Sequence, residues 1–155
     1  MALDKGYPQG DYSFVTDVQS FFDDFEKTVS TVKRCKNSNE CIRNTYYLHG
    51  APDVPAGNGN AVITNDGMVY TFAIYYAGAL GISEDDRDNY IGRFWVDVNG
   101  QKGPQTYGKD LFAFVLIQGK GILPAGYGST SDCHKNGQGC SCTARVLRDN
   151  AINYY

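Results

Sequence analysis

Long apolar runs are missing from this chain: nothing in its 155 residues approaches the ~20 apolar residues of a membrane span or the core of a secretory signal. Basic runs that could follow a phosphate backbone are missing as well. With 14 Lys and Arg against 17 Asp and Glu the net charge is −3, which argues against nucleic acid as a partner. There is no G-x-x-x-x-G-K-[ST], no strand-end G-x-G-x-x-G, no G-x-S-x-G and no H-E-x-x-H, so the common nucleotide-binding, hydrolase and zinc-protease chemistries have no foothold. The absence of an N-x-[ST] acceptor removes one sign of eukaryotic secretion. On these grounds the chain reads as non-enzymatic, with no resident cofactor.

What is present is glycine, tyrosine and phenylalanine: 18, 12 and 8 of them. That mixture suits a β-rich fold with an aromatic core and long polar turns. The length suits a single domain able to bury roughly two thirds of the surface of its unfolded chain. Five cysteines fall in two clusters, Cys35 with Cys41, and Cys133, Cys140 and Cys142. Pairing within each cluster closes two short loops and leaves one thiol, as an oxidising compartment allows. A zinc site built from these thiols and His134 is the competing reading, but the spacings miss the paired C-x2-4-C knuckles. An exported protein needs a targeting segment, so the opening "MALDKGYPQG" reads as a polar lead-in to a trimmed chain, with residues 1–11 set apart from a globular domain over 12–155.

Between Ser13 and Arg34 the apolar residues Phe14, Val18, Phe21, Phe25, Val29 and Val32 recur at steps of three and four, which predicts one long amphipathic helix packed on a sheet. Ser13 or Asp11 is its expected cap, and Lys33 and Arg34 suit its C-terminal dipole. Phe22 lies off the stripe and reads as incidental, the alternative being a contact with a neighbouring subunit. After an irregular stretch holding His49, Pro52, Pro55, Gly57 and Gly59 comes "AVITNDGMVYTFAIYY", whose Asn65, Asp66 and Gly67 predict a tight hairpin turn. Tyr70, Phe72, Ile74 and Tyr76 share the face expected to meet the helix. The acidic "EDDRD" reads as a solvated turn, Phe94, Val96 and Val98 as the inward side of a strand, and "LFAFVLI" as a central strand. The fold class expected is therefore α+β: one long N-terminal helix packed on an antiparallel sheet, with a C-terminal loop pinned by cysteines.

Several of these stretches resemble the type IV pilin-like proteins, including the pseudopilins of type II secretion systems. "FFDDFEKTVSTVKRC" resembles the exposed half of the pilin helix, and "NDGMVYTF" the hairpin that often follows it. "VDVNGQKGPQTYGKDLFAFVLIQGKGILPAG" is similar to a segment recurring in bacterial prepilin-like sequences, and "CSCTARVLRDNAINYY" to their cysteine-bearing close. The resemblance implies a structural subunit of a pilus or secretion filament that acts by polymerisation and surface display. Its partners would be other subunits and, through an apolar N-terminal half-helix outside these residues, the inner membrane. It would work in the periplasm or on the cell surface. With Cys35–Cys41, the resemblance favours a Cys133–Cys142 disulfide that leaves Cys140 unpaired.

The insert from Asp97 to Asp110 invites a metal reading. Gly100 falls too early, and the closing Glu is lacking, for an EF-hand. Some pseudopilins bind calcium in a loop of the β region, and Asp97, Asn99 and Asp110 are the residues that could build an irregular oxygen site here. The plainer reading has Asp97 and Asn99 as turn-formers, with the glycines shaping the loop. A second functional reading is a surface-attached carbohydrate-binding module with Trp95, Tyr107 or Tyr127 as stacking residues.

Overall fold

The computed structural model describes residues 11, 15, 17–42, 44–53, 60–73 and 80–155. Phe14, Pro55, Gly57, Gly59, Ile74 and Tyr76 lie outside the described residues, as does the Val18 side chain. The architecture is mostly antiparallel β. Six strands pair in the order β1 (Thr31–Cys35), β4 (Ala61–Thr64), β5 (Val69–Ala73), β6 (Tyr90–Asp97), β8 (Leu111–Ile117) and β9 (Gly121–Pro124). A smaller sheet joins β3 (Pro52–Asp53), β2 (Thr45–Tyr46) and β7 (Gln105–Thr106), and there β2 runs parallel to β7. Among the described residues two short α-helices complete it, α1 (Val18–Glu26) and α2 (Thr143–Asp149). Among the described residues no helix is long and apolar enough to cross a membrane.

The long helix expected from Ser13 to Arg34 is not formed. α1 has nine residues, and the chain beyond it turns into β1, which pairs with β4 from Thr31↔Thr64 to Cys35↔Ala61. The reason lies in Thr28, Val29, Thr31 and Val32, whose branched side chains lose rotamers in a helix and suit a pleated strand. The cap is Asp17, whose carboxylate accepts the Ser20 N–H at 2.8 Å and its hydroxyl at 2.7 Å. The expected stripe therefore divides. Phe21 and Phe25 lie against the sheet, Val29 is half-buried, and Val32 is 65% exposed on β1. Phe22, expected to be incidental, is fully buried with its ring edge-on to Phe72 at 4.5 Å.

The hairpin follows the sequence expectation. Gly67 has φ +85°, Thr64 and Met68 bond across the turn, and Tyr70 and Phe72 meet the α1 aromatics. β8 lies inside the sheet, one place in from the β9 edge, and is apolar on both faces. Leu111, Ala113, Val115 and Ile117 join Trp95, Tyr107 and Leu80 in one core, while Leu116 joins Phe22, Phe72 and Phe94 in the other. The acidic turn is a 3-10 segment, Glu84–Asn89, and is not wholly solvated. Asp86 turns inward, accepting from Lys120 Nζ at 3.0 Å and the Tyr127 hydroxyl at 2.8 Å.

Candidate functional site

The loop that leaves β6 gathers oxygen atoms. Asp97, the last residue of that strand, has no exposed surface, and one of its oxygens accepts the Asn99 N–H at 3.1 Å. Gly100 follows at φ +65°, where a Cβ would come 2.2 Å from the Gly67 carbonyl, so only glycine lets the loop lie against the hairpin turn. β7 then returns beneath the loop through its parallel pairing with β2, and this brings Gln105 inward. The Gln105 side-chain amide donates to the Gly100 carbonyl at 3.0 Å. Asp110 closes the loop from outside, its carbonyl accepting the Val98 N–H at 2.9 Å.

Three buried oxygens in this loop have no hydrogen-bond partner: Asp97 Oδ2, Asn99 Oδ1 and Gln105 Oε1. Burial pushes the Asp97 carboxyl up to about 6, against the pull of the Asn99 N–H and the Gln105 side chain, and the Asp110 charge pushes the same way. Burial also raises the Asp110 carboxyl. Of the expected set, Asp97 and Asn99 point unpartnered oxygens into the protein, and Asp110 stands within electrostatic reach. Gln105 was not anticipated, because a single carboxamide eight residues on in an irregular loop has no periodic or motif signature. The donors are all hard oxygens, as calcium prefers, and Asp97, Asn99 and Gln105 would hold the ion with Asp110 adding charge. They depend on carboxamides: among the described residues no three His, Cys, Asp or Glu side chains converge.

The thiols are committed elsewhere. Disulfides join Cys35 to Cys41 and Cys133 to Cys142, with Cα separations of 6.1 and 5.0 Å, and Cys140 is free and buried. That is the expected pairing, and it leaves no thiolate pair for zinc. Burial drives the Cys140 thiol up to about 12, which keeps it inert. The stacking residues of the carbohydrate-binding reading are also occupied. Trp95 and Tyr107 are both buried, with ring centroids 4.7 Å apart, and the Tyr107 hydroxyl donates to Asp53 at 2.9 Å. Tyr127 is half-buried, with its hydroxyl on Asp86. His49 is a loop residue stacked on Tyr47.

Beside α1, the same face of the sheet carries an apolar trough of about 370 Å³ that no other described residue covers. Tyr70, Phe94, Val96, Phe112 and Phe114 form its floor, and Val98 and Leu147 stand at its edge, 46% and 62% exposed. Periodicity did not reveal it, because it arises where α2 meets a face that α1 leaves partly bare. Comparison with known protein families, characterised proteins and solved structures finds no match to this chain.

Proposed function

We propose that the chain is a non-enzymatic structural subunit of the pilin or pseudopilin kind, which works by assembling into a bacterial surface or secretion filament. The observation that carries this reading is the apolar trough, whose exposed rim at Val98 and Leu147 offers a neighbouring subunit a hydrophobic seat. The buried and half-buried carboxylates support it from the other side, because they act as struts. Asp86 holds Lys120 and Tyr127, Asp132 holds the Cys140 and Ser141 N–H groups, and Asp53 holds Tyr47 and Tyr107. Two disulfides fit the periplasm or cell surface. The burial of Trp95 and Tyr107 weighs against the carbohydrate-binding alternative.

The reading requires an apolar helix encoded ahead of these residues, which would anchor the precursor in the inner membrane and pack in the filament. Expression of the whole gene followed by fractionation tests it. The expected result is a precursor in the inner membrane and subunits in sheared surface filaments. A precursor that is freely soluble and never assembles would overturn the reading.

A further inference from the structure

The surfaces at the two ends of β6 differ in net charge, lysines outnumbering carboxylates at one and carboxylates outnumbering cations at the other. At the Asp97 end lies a polar cleft of about 660 Å³, lined by Lys33, Asn44, Tyr46, Gln101, Lys102 and Pro104. Its walls are fixed. Cys41 is tied to β1 by the Cys35 disulfide, and the Gln101 side chain reaches across to the Glu40 carbonyl at 3.4 Å. Glu40 also lines the cleft, its carboxylate held by the Lys36 N–H and the Asn37 amide, both at 3.2 Å, so the two lysines leave the cleft one positive charge in excess. Lys33 and Lys102 are exposed, and among the described residues neither ammonium has an ion-pair partner. At the Tyr90 end, the 3-10 segment exposes Glu84, Asp85 and Asp88. Of these three, Glu84 alone has an ion-pair partner among the described residues, Arg87 at 3.7 Å. β6 holds the two features apart by roughly 23 Å, at about 3.3 Å per strand residue.

We infer that the cleft receives the acidic 3-10 segment of a second copy of this chain, so that copies associate head to tail along β6. A heterologous contact between opposite ends does not close on itself, and it propagates as a chain. The inference rests on the assembly reading and adds to it a polar contact separate from the apolar trough. Exposed ion pairs are individually weak and screened by salt. The isolated domain is therefore monomeric at micromolar concentration and near millimolar concentration in low salt forms only short, rapidly exchanging oligomers through this contact, not filaments.

The test is a series of amide NMR spectra of residues 1–155 from micromolar to millimolar concentration, at low salt and again at near-molar salt. Concentration-dependent shifts should appear at both Lys33/Lys102 and Glu84–Asp88 and vanish in high salt. The variants K33E/K102E and E84K/D85K/D88K change exposed side chains only. Each alone should weaken association by at least about tenfold, and an equimolar mixture should restore it, which also shows that both are folded. Spectra independent of concentration, shifts confined to other surfaces, or variants that associate like the parent would overturn the inference. So would citrate shifting the cleft when concentration does not, which would make the cleft a small-anion site. Filaments from the whole gene that tolerate K33E/K102E would sink this contact and leave the subunit reading standing. Failure of the unaltered gene to assemble would sink the subunit reading.

Discussion

Asp97 carries a carboxylate into the protein, where burial, helped by the Asp110 charge and opposed by nearby hydrogen-bond donors, raises its pKa to about 6. An ion bound there only in the native state would stabilise by mass action, by about 2.7 kcal/mol at a hundredfold excess over its Kd. Calcium should therefore raise the melting temperature of the parent, and Asp97→Ala should abolish that rise while changing little in chelator. Equal losses with and without calcium would make Asp97 a turn-former. Asp86 is the opposite case, a carboxylate held below its usual range by hydrogen bonds from Lys120 and Tyr127. A native pKa below the unfolded value gives stability that is complete above the unfolded pKa of about 3.9 and is lost as pH falls through the native value. Urea midpoints should then separate Asp86→Asn from the parent at neutral pH and converge in acid. A gap that stays constant across pH would show that the hydrogen bonds, and not the charge, hold the segment.

At the scale of the element, the boundary between α1 and β1 shows how periodicity and side-chain shape compete. The three-and-four spacing from Phe14 to Val32 is legible, but so is the branched run Thr28, Val29, Thr31, Val32, and β1 pairing with β4 gives that run somewhere to go. Arg34 then ties the two elements, pairing with Asp23 at 2.7 Å and Glu26 at 2.8 Å. Phe22→Ala should cost about 3–5 kcal/mol, as for a buried aromatic, whereas Val32→Ala should stay within about 0.5 kcal/mol, as for an exposed site. A continuous helical stripe would demand the reverse order in chemical denaturation. The hairpin at Asn65–Gly67, the strands around Phe94 and Val115, and pairing within each cysteine cluster were legible because each is decided by neighbours in sequence, whereas the choice of Cys142 over Cys140 came only from the family resemblance. The β2–β7 parallel pair and the inward turn of Gln105 were not, since they join residues about 60 apart through two-residue strands with no pattern of their own. The trough was hidden for the same reason, because it belongs to the meeting of α2 with the sheet.

For the molecule as a whole, the two apolar faces of the sheet are not treated alike. One is closed over by the loops carrying Leu80, Tyr107, Ala125 and Cys140, while the other is covered by α1 over Phe72 and, among the described residues, only partly covered over Phe112 and Phe114. The domain thus has a complete core of its own and a surplus apolar surface. The trough alone is small against a stable interface of roughly 1,200–2,000 Å², so residues 1–155 should not form filaments by themselves. In the whole chain, an apolar half-helix of ~20 residues would add a large association term at ~25 cal/mol per Å² removed from water. On the proposed reading, lipid would weaken that term before assembly and keep an anchored precursor apart until packing contacts such as the trough decided the outcome. Val98→Asp and Leu147→Lys place charge at the exposed rim of the trough without touching the buried floor. They should leave the domain's stability within about 0.5 kcal/mol of the parent and should sharply reduce filament yield from the whole gene. Filaments formed at parental yield by the double variant would show that the trough faces solvent in the assembly, and would remove the observation on which the subunit reading stands.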